Sequence, residues 1–264
     1  VIATAAHTPD SPPAGAERFR VALTADVGGE LRFLSHHDEL RLLTRAIIRA
    51  GWPVAYSRGF NPQPQLRVPL PRSVGTAASG QLILVDLETP RSVQALADSL
   101  AAALPVDYRL QNVVAPVPRT TPHAQRVTVA VTLSLEDAER ARQQLPELLG
   151  RATLCVERRT DQRGATTTID IRPFIEDIQL DGRELRLHLR VQQQRSARPT
   201  EILTELGLAA EAYLHRLRRV DVQWDMAFDG PETRPAPNER KPLGRQDSKE
   251  EGHDQEEGLK EKDT

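Results

Sequence analysis

The chain has 264 residues, 39% of them hydrophobic, a formal net charge of −2 and a single cysteine, Cys155. This length fits one large domain or two small ones. One cysteine excludes an internal disulfide and a cysteine-ligated iron–sulfur cluster, and no apolar run approaches the roughly 18 residues needed to span a bilayer.

Residues 1–17 lack the basic start and apolar core of a signal peptide and read as a flexible leader, which points to a cytoplasmic protein without membrane contact. From residue 18 to 118 the chain reads as a first α+β half. FRVALTA, the turn VGGE and LRFL predict a hairpin of two strands. A helix follows from His36 to Ala50, then a short strand WPVAYS, a proline-rich excursion to Pro71 and a strand at QLILVDLE. Thr89 and Pro90 read as N-cap and first position of a helix ending near Ala103. The strand DYRLQNVVAP closes this half, and PVPRTTPH reads as a linker.

Residues 119–228 repeat the plan. RVTVAVTL is a strand, Ser134 begins a helix to Leu149, and TLCVERR, TTTIDIRPFI and the hairpin IQLDGRELRLHLRV follow. Pro199 opens another helix and VDVQW is the last strand. FLSHHD and TLSLED are both strand–Ser–x–x–Asp–helix, which fits a duplication. The expected fold is α+β: two ferredoxin-like halves with antiparallel sheets. All four lysines lie after residue 240. Residues 229–264 are acidic overall and nearly free of apolar side chains, so disorder is expected there.

The segment 34-LSHHDELRLLTRAIIRAGWPVAYSRGFNPQPQLRVPLP-71 carries the candidate site. Ser35 and Asp38 form a capping box, Asp38 and Glu39 suit the positive end of the helix dipole, and Gly51 suits the C′ position. Leu40, Leu43, Ile47 and Ala50 are the expected buried face, with His36 on the same side. Asp38, Arg41, Arg45 and Arg49 share the opposite face. Between Leu40 and Val85 there are arginines at 41, 45, 49, 58, 67 and 72 and no carboxylate, which suits a phosphate-rich partner. Trp52 and Val54 read as core. Tyr56, Arg58, Phe60 and Asn61 lie in or beside a loop stiffened by Pro62 and Pro64, where a cation and an aromatic surface can meet a base.

Other chemistry finds little support. No phosphate-binding glycine loop or metal-ligand spacing occurs, so no cofactor is expected, and nothing marks DNA specificity. Cys155 reads as a buried hydrophobe. Asp170 and Arg172 read as an ion pair, or as an extension of the basic groove. Arg195, Arg198, Arg216, Arg218 and Arg219 form a second basic concentration. His36 is the weak candidate for an acid/base catalyst. A His36–Asp38 dyad is disfavoured because side chains two apart on a helix diverge.

The segment from Leu31 to Gly80 resembles the opening of the radical SAM-linked protein family, a bacterial domain of unknown function. Ser35, His36, Asp38, Arg45, Arg49, Ala50, Tyr56, Ser57, Gly59, Phe60, Asn61, Pro62 and Pro64 carry the resemblance, with Asp170, Arg172, Pro173, Arg198 and Pro199 further on. His37 replaces a usual Leu, and Gln63 stands where His is common, so a metal site using that histidine would lack a ligand here. The resemblance implies a chain encoded beside, or fused to, a radical SAM protein, often near a gene for an E/G-type ribonuclease. The expected function is a non-catalytic RNA-binding or substrate-presenting accessory protein of a radical SAM enzyme. The alternatives are a protein-interaction subunit without RNA contact and an enzyme using His36.

Overall fold

The computed structural model describes residues 19–159, 166–193 and 195–226. The expected leader and acidic tail lie outside these residues. The first half runs β1 (Phe19–Val27), α1 (His36–Arg49), β2 (Leu66–Arg67), β3 (Ala77–Leu87), α2 (Val93–Ala103) and β4 (Tyr108–Val114). The second runs β5 (Ala124–Thr132), α3 (Leu135–Gly150), β6 (Cys155–Arg159), β7 (Thr166–Asp170), β8 (Ile175–Asp181), β9 (Glu184–Arg190), α4 (Pro199–Glu205), α5 (Ala210–Tyr213) and β10 (Arg218–Trp224).

Strands β4-β1-β3-β10-β5-β9-β8 form one sheet, with β2 also on β3, and β6-β7 is a separate hairpin. Neighbours within each half are antiparallel, and the halves join where β10 runs parallel to the start of β3 at Arg218–Ala77 and Arg219–Ala78. The fold is therefore α+β with a mostly antiparallel sheet. Setting aside the inserted β6-β7 hairpin, each half has a βαββαβ plan, compatible with the ferredoxin-like units expected.

Alternation along the strands buries one face under the helices. Leu43, Ile47, Leu96 and Leu100 pack on Val21, Leu23, Ile83 and Val85 in the first half, and Ala141, Leu148, Ile202 and Leu203 on Val129, Val131, Leu185 and Leu187 in the second. On the outer face of the first half, Ala22, Leu82 and Leu84 pack with Val117 and Trp224. The predicted linker is thus part of the core. Val117 donates its N–H to the Arg20 carbonyl, and the buried Arg20–Asp86 pair lies at 2.6 Å.

Three other expectations are corrected. LRFL is not a strand: residues 29–33 form a 3-10 turn, and β3 and β4 flank β1 instead. Gly29 has φ +47, and an added Cβ would collide with Asp107. The Leu31 and Arg32 carbonyls are taken by Arg72 Nη2 and Nη1 at 2.7 and 2.6 Å. The α2 cap is Ser92, not Thr89, because the Ser92 hydroxyl accepts from Ala95 N–H. Cys155 is exposed, since it opens the two-stranded hairpin rather than a strand of the main sheet.

A buried polar junction ties the halves. Glu39, expected to serve the helix dipole, is 1% exposed; its Oε1 accepts from the Tyr108 hydroxyl at 3.1 Å and its Oε2 lies 3.5 Å from Arg72 Nε. Arg219 of β10 donates to the Leu70 carbonyl at 2.9 Å and to Gln81 Oε1. Burial pushes the Arg219 guanidinium down to about 10, with Glu39 opposing the fall and Arg72 adding to it. Burial, then the Glu39 carboxylate, hold the Tyr108 hydroxyl well above the ordinary phenol range.

The two groups act on stability with opposite sign. Above pH ~10 an unfolded tyrosine loses its proton while folded Tyr108 keeps it, so its contribution falls as pH rises. Folded Arg219 loses its proton before the unfolded chain does, so its contribution rises from pH about 10 upward. Tyr108→Phe should therefore lose less stability than the parent between pH about 9 and 11, by up to about 1.4 kcal/mol per unit. Urea midpoints at the two pH values measure this, and equal losses would contradict it.

Candidate functional site

The helix that carries the arginines is built as its sequence directs. Ser35 Oγ accepts from Asp38 N–H at 3.2 Å and donates to Asp38 Oδ2 at 2.6 Å. At the other end Gly51 has φ +71, its N–H reaches the Ile48 carbonyl, and Trp52 N–H reaches the Ile47 carbonyl, a Schellman closure. The buried positions are Glu39, Leu43, Ala46 and Ile47, while Leu40 and Ala50 are only partly covered. Placing Glu39 inward fixes the rotation of the helix, and Arg41, Arg45 and Arg49 are exposed on the outer side. Arg41 reaches Asp38 at 3.4 Å with both side chains largely solvated. Arg45 and Arg49 have no carboxylate partner among the described residues.

The loop is an interruption in an edge strand. Val54 pairs with Leu87, and Leu66 pairs with Val85. The chain thus spends residues 55–65 opposite the single residue Asp86 of its partner. Tyr56 bridges to Pro64, Ser57 N–H reaches the Gln63 carbonyl at 2.8 Å, and Gln63 N–H reaches Ser57 Oγ at 2.9 Å. These bonds close a narrow neck, and Gly59 at φ +142 lets the tip reverse. Arg58, Phe60 and Asn61 are exposed, and Phe60, at 111% relative exposure, lies against nothing. The edge strand starts at the end of the sheet where α1 finishes, so the loop and the last turn of α1 share that end.

The expected site residues divide accordingly. Arg41, Arg45 and Arg49 form one exposed helical face; Tyr56, Arg58, Phe60 and Asn61 belong to one closed loop. Trp52 is core, with its indole N–H on Ser99 Oγ at 3.1 Å, and Tyr56 is 40% exposed. Arg72 leaves the basic surface altogether, so five exposed arginines remain of the six. His36 is half-buried with Nδ1 enclosed and unpartnered, 5.9 Å from the His37 ring. Asp38 is engaged by Ser35 and Arg41, not by His36. No group of three or more potential metal ligands occurs among the described residues, and no helix there is long and apolar enough to cross a membrane.

Asp170 and Arg172 form no side-chain ion pair. Asp170 Oδ1 accepts from Leu154 N–H and Arg172 N–H, while the Arg172 guanidinium gathers the Leu149, Arg151 and Ile175 carbonyls beyond the end of α3. The second basic concentration is only partly kept: Arg219 is buried, Arg218 reaches Glu184 at 3.5 Å, Arg198 lies 4.0 Å from Glu201 and Arg216 lies over the Tyr213 ring, while Arg195 is exposed. Glu39 and Arg72 are what sequence reasoning missed; the only available signal was that Glu39 stands four residues before Leu43 on the apolar side.

Residues 18–199 match a family described as an uncharacterized protein conserved in bacteria, DUF2344. The chain belongs to this family. The match spans α1, the loop and most of the second half, so the site residues fall within it. No curated protein matches the chain. A crystal structure of an unknown protein from Galdieria sulphuraria is similar at 12% identity and a TM-score of 0.21, covering 78% of this chain and 96% of that one.

The geometry separates surface from core by mutation. Arg45→Ala/Arg49→Ala should leave stability within about 0.5 kcal/mol of the parent, whereas Glu39→Ala, which strands Arg72, should cost about 3–5 kcal/mol. Urea denaturation of both variants tests this, and equal midpoints would contradict the assignment.

Proposed function

We propose that the protein is a non-catalytic RNA-binding or substrate-presenting accessory factor that works beside a radical SAM enzyme in the cytoplasm. The observation that carries the RNA reading is the pair of exposed, carboxylate-free guanidiniums of Arg45 and Arg49 at the end of α1 nearest a closed loop bearing the exposed Phe60. Guanidiniums of this kind bind phosphates and release counterions. An aromatic ring held away from its own fold, with Arg58 and Asn61 beside it, suits stacking and hydrogen bonding to an unpaired base. The radical SAM partnership rests on the resemblance carried by the Ser35–Pro64 motif.

A second reading is favoured by the same ring together with Ile48, which is 51% exposed on α1. Aromatic and aliphatic groups flanked by arginine also anchor protein interfaces. In that case Phe60 inserts into the radical SAM partner and RNA is irrelevant to the contact.

Titration of single-stranded RNA at several salt concentrations separates the two. RNA binding should weaken steeply with salt, and Arg45→Ala/Arg49→Ala should reduce the slope of log K against log salt by about 1.4, or about 0.7 per phosphate contact. Binding that is absent or indifferent to salt, with co-purification of the partner lost in Phe60→Ala, would replace the RNA reading by the protein-contact reading.

A further inference from the structure

No helix covers the outer face of the second half among the described residues. Strand register places its side chains in rows. Arg126 of β5 lies opposite Gln223 of β10 on one side and Arg190 of β9 on the other; Thr128 lies opposite Asp221 and His188 in the next row. Inward-facing Val129, Val131, Leu187 and Leu189 belong to the helix-side core, so the Arg126 row faces outward.

That row is unusual. Two arginines directly opposite each other repel, which a sheet ordinarily avoids. Both lean on one carboxylate, with Arg126 Nε 2.8 Å and Arg190 Nη2 3.7 Å from Glu176, and both side chains stay half-exposed. Arg126 Nη1 also donates to Gln223 Oε1 at 3.3 Å. Glu176 thus serves two arginines at once, and Asp221 stands in the next row opposite Thr128. An open cleft of about 330 Å³ lies over the row, lined chiefly by Gln125, Arg126, Arg190, Gln192, Gln223 and Trp224. Trp224 stands opposite Ala124, lines the cleft and packs against the outer cluster of Ala22, Leu82 and Leu84.

We infer that this cleft is a second RNA site, which takes one nucleotide unit of a single strand. The base lies against Trp224, glutamine amides meet its polar edge, and Arg126 and Arg190 hold the phosphate. An open antiparallel sheet face with an aromatic platform and flanking cations is a general solution for unpaired bases, because every base has a stacking face. The carboxamides fit this ligand better than a bare anion, which would need only the guanidiniums. The inference rests on the RNA reading above but uses a surface separate from the helix and loop.

The chain has two tryptophans; both emit, but Trp52 is sealed in the first-half core, so quenching by a stacked base reports on Trp224. The full chain is titrated with an oligouridylate of about ten nucleotides, following both fluorescence and retention of RNA on a filter. Quenching should saturate in the parent. Arg126→Gln/Arg190→Gln should weaken it about tenfold, and Arg45→Ala/Arg49→Ala should weaken retention while keeping the full quenching amplitude. Trp224→Phe should abolish the signal and retain most of the binding. Circular dichroism of each variant checks the fold. RNA retained with neither quenching nor loss in Arg126→Gln/Arg190→Gln would overturn this site and leave the proposed function standing. Neither retention nor quenching would overturn both.

Discussion

A carboxylate placed inside a protein must find a cation or protonate, and Glu39 finds Arg72. Around this contact the rest of the molecule is arranged. Arg72 spends its remaining donors on the Leu31, Arg32 and Thr76 carbonyls, which holds the 3-10 turn before α1 against the segment entering β3. Gly75 N–H returns to the Arg32 carbonyl and Ala77 N–H takes the Leu217 carbonyl. From there Arg219 reaches Leu70 and Gln81. A buried pair of this kind adds little to stability beyond an apolar equivalent, but removing one partner leaves a stranded charge. Its consequence is geometric: the two halves meet in one register.

The same constraint shapes the candidate surfaces. Because Glu39 faces inward, α1 has a single rotational setting, and its arginines are displayed rather than folded onto the sheet. Because β10 is anchored by Arg219 at one end, its other end places Gln223 and Trp224 beside β5. The basic helix and the outer cleft thus lie in opposite halves of one continuous sheet, with the helix on the covered side and the cleft on the bare side.

Much of this was legible in the sequence wherever local chemistry decides. Ser35 and Ser134 cap their helices as their spacing implied, Gly51 closes α1, Trp52 enters the core and the 57–64 loop stands out from it. Tyr108 bonds Glu39 in the first turn of α1, and Tyr213 bonds Asp137 in the first turn of α3. What could not be read was the long-range pairing of charges. An arginine in a run of arginines looks like its neighbours, and nothing near Arg72 shows that a glutamate 33 positions earlier awaits it. Cys155 misled for a related reason: its apolar neighbours describe a strand, but not that the strand lies in a two-stranded hairpin apart from the main sheet.

Native-state hydrogen exchange of the full chain tests the junction most directly. Slowly exchanging amides of β3 in the first half and of β5 and β10 in the second should report one common opening free energy, and Arg219→Met should split them into two. Separate opening free energies in the unmodified chain, with β5 and β10 released while β1 and β3 stay protected, would contradict the account.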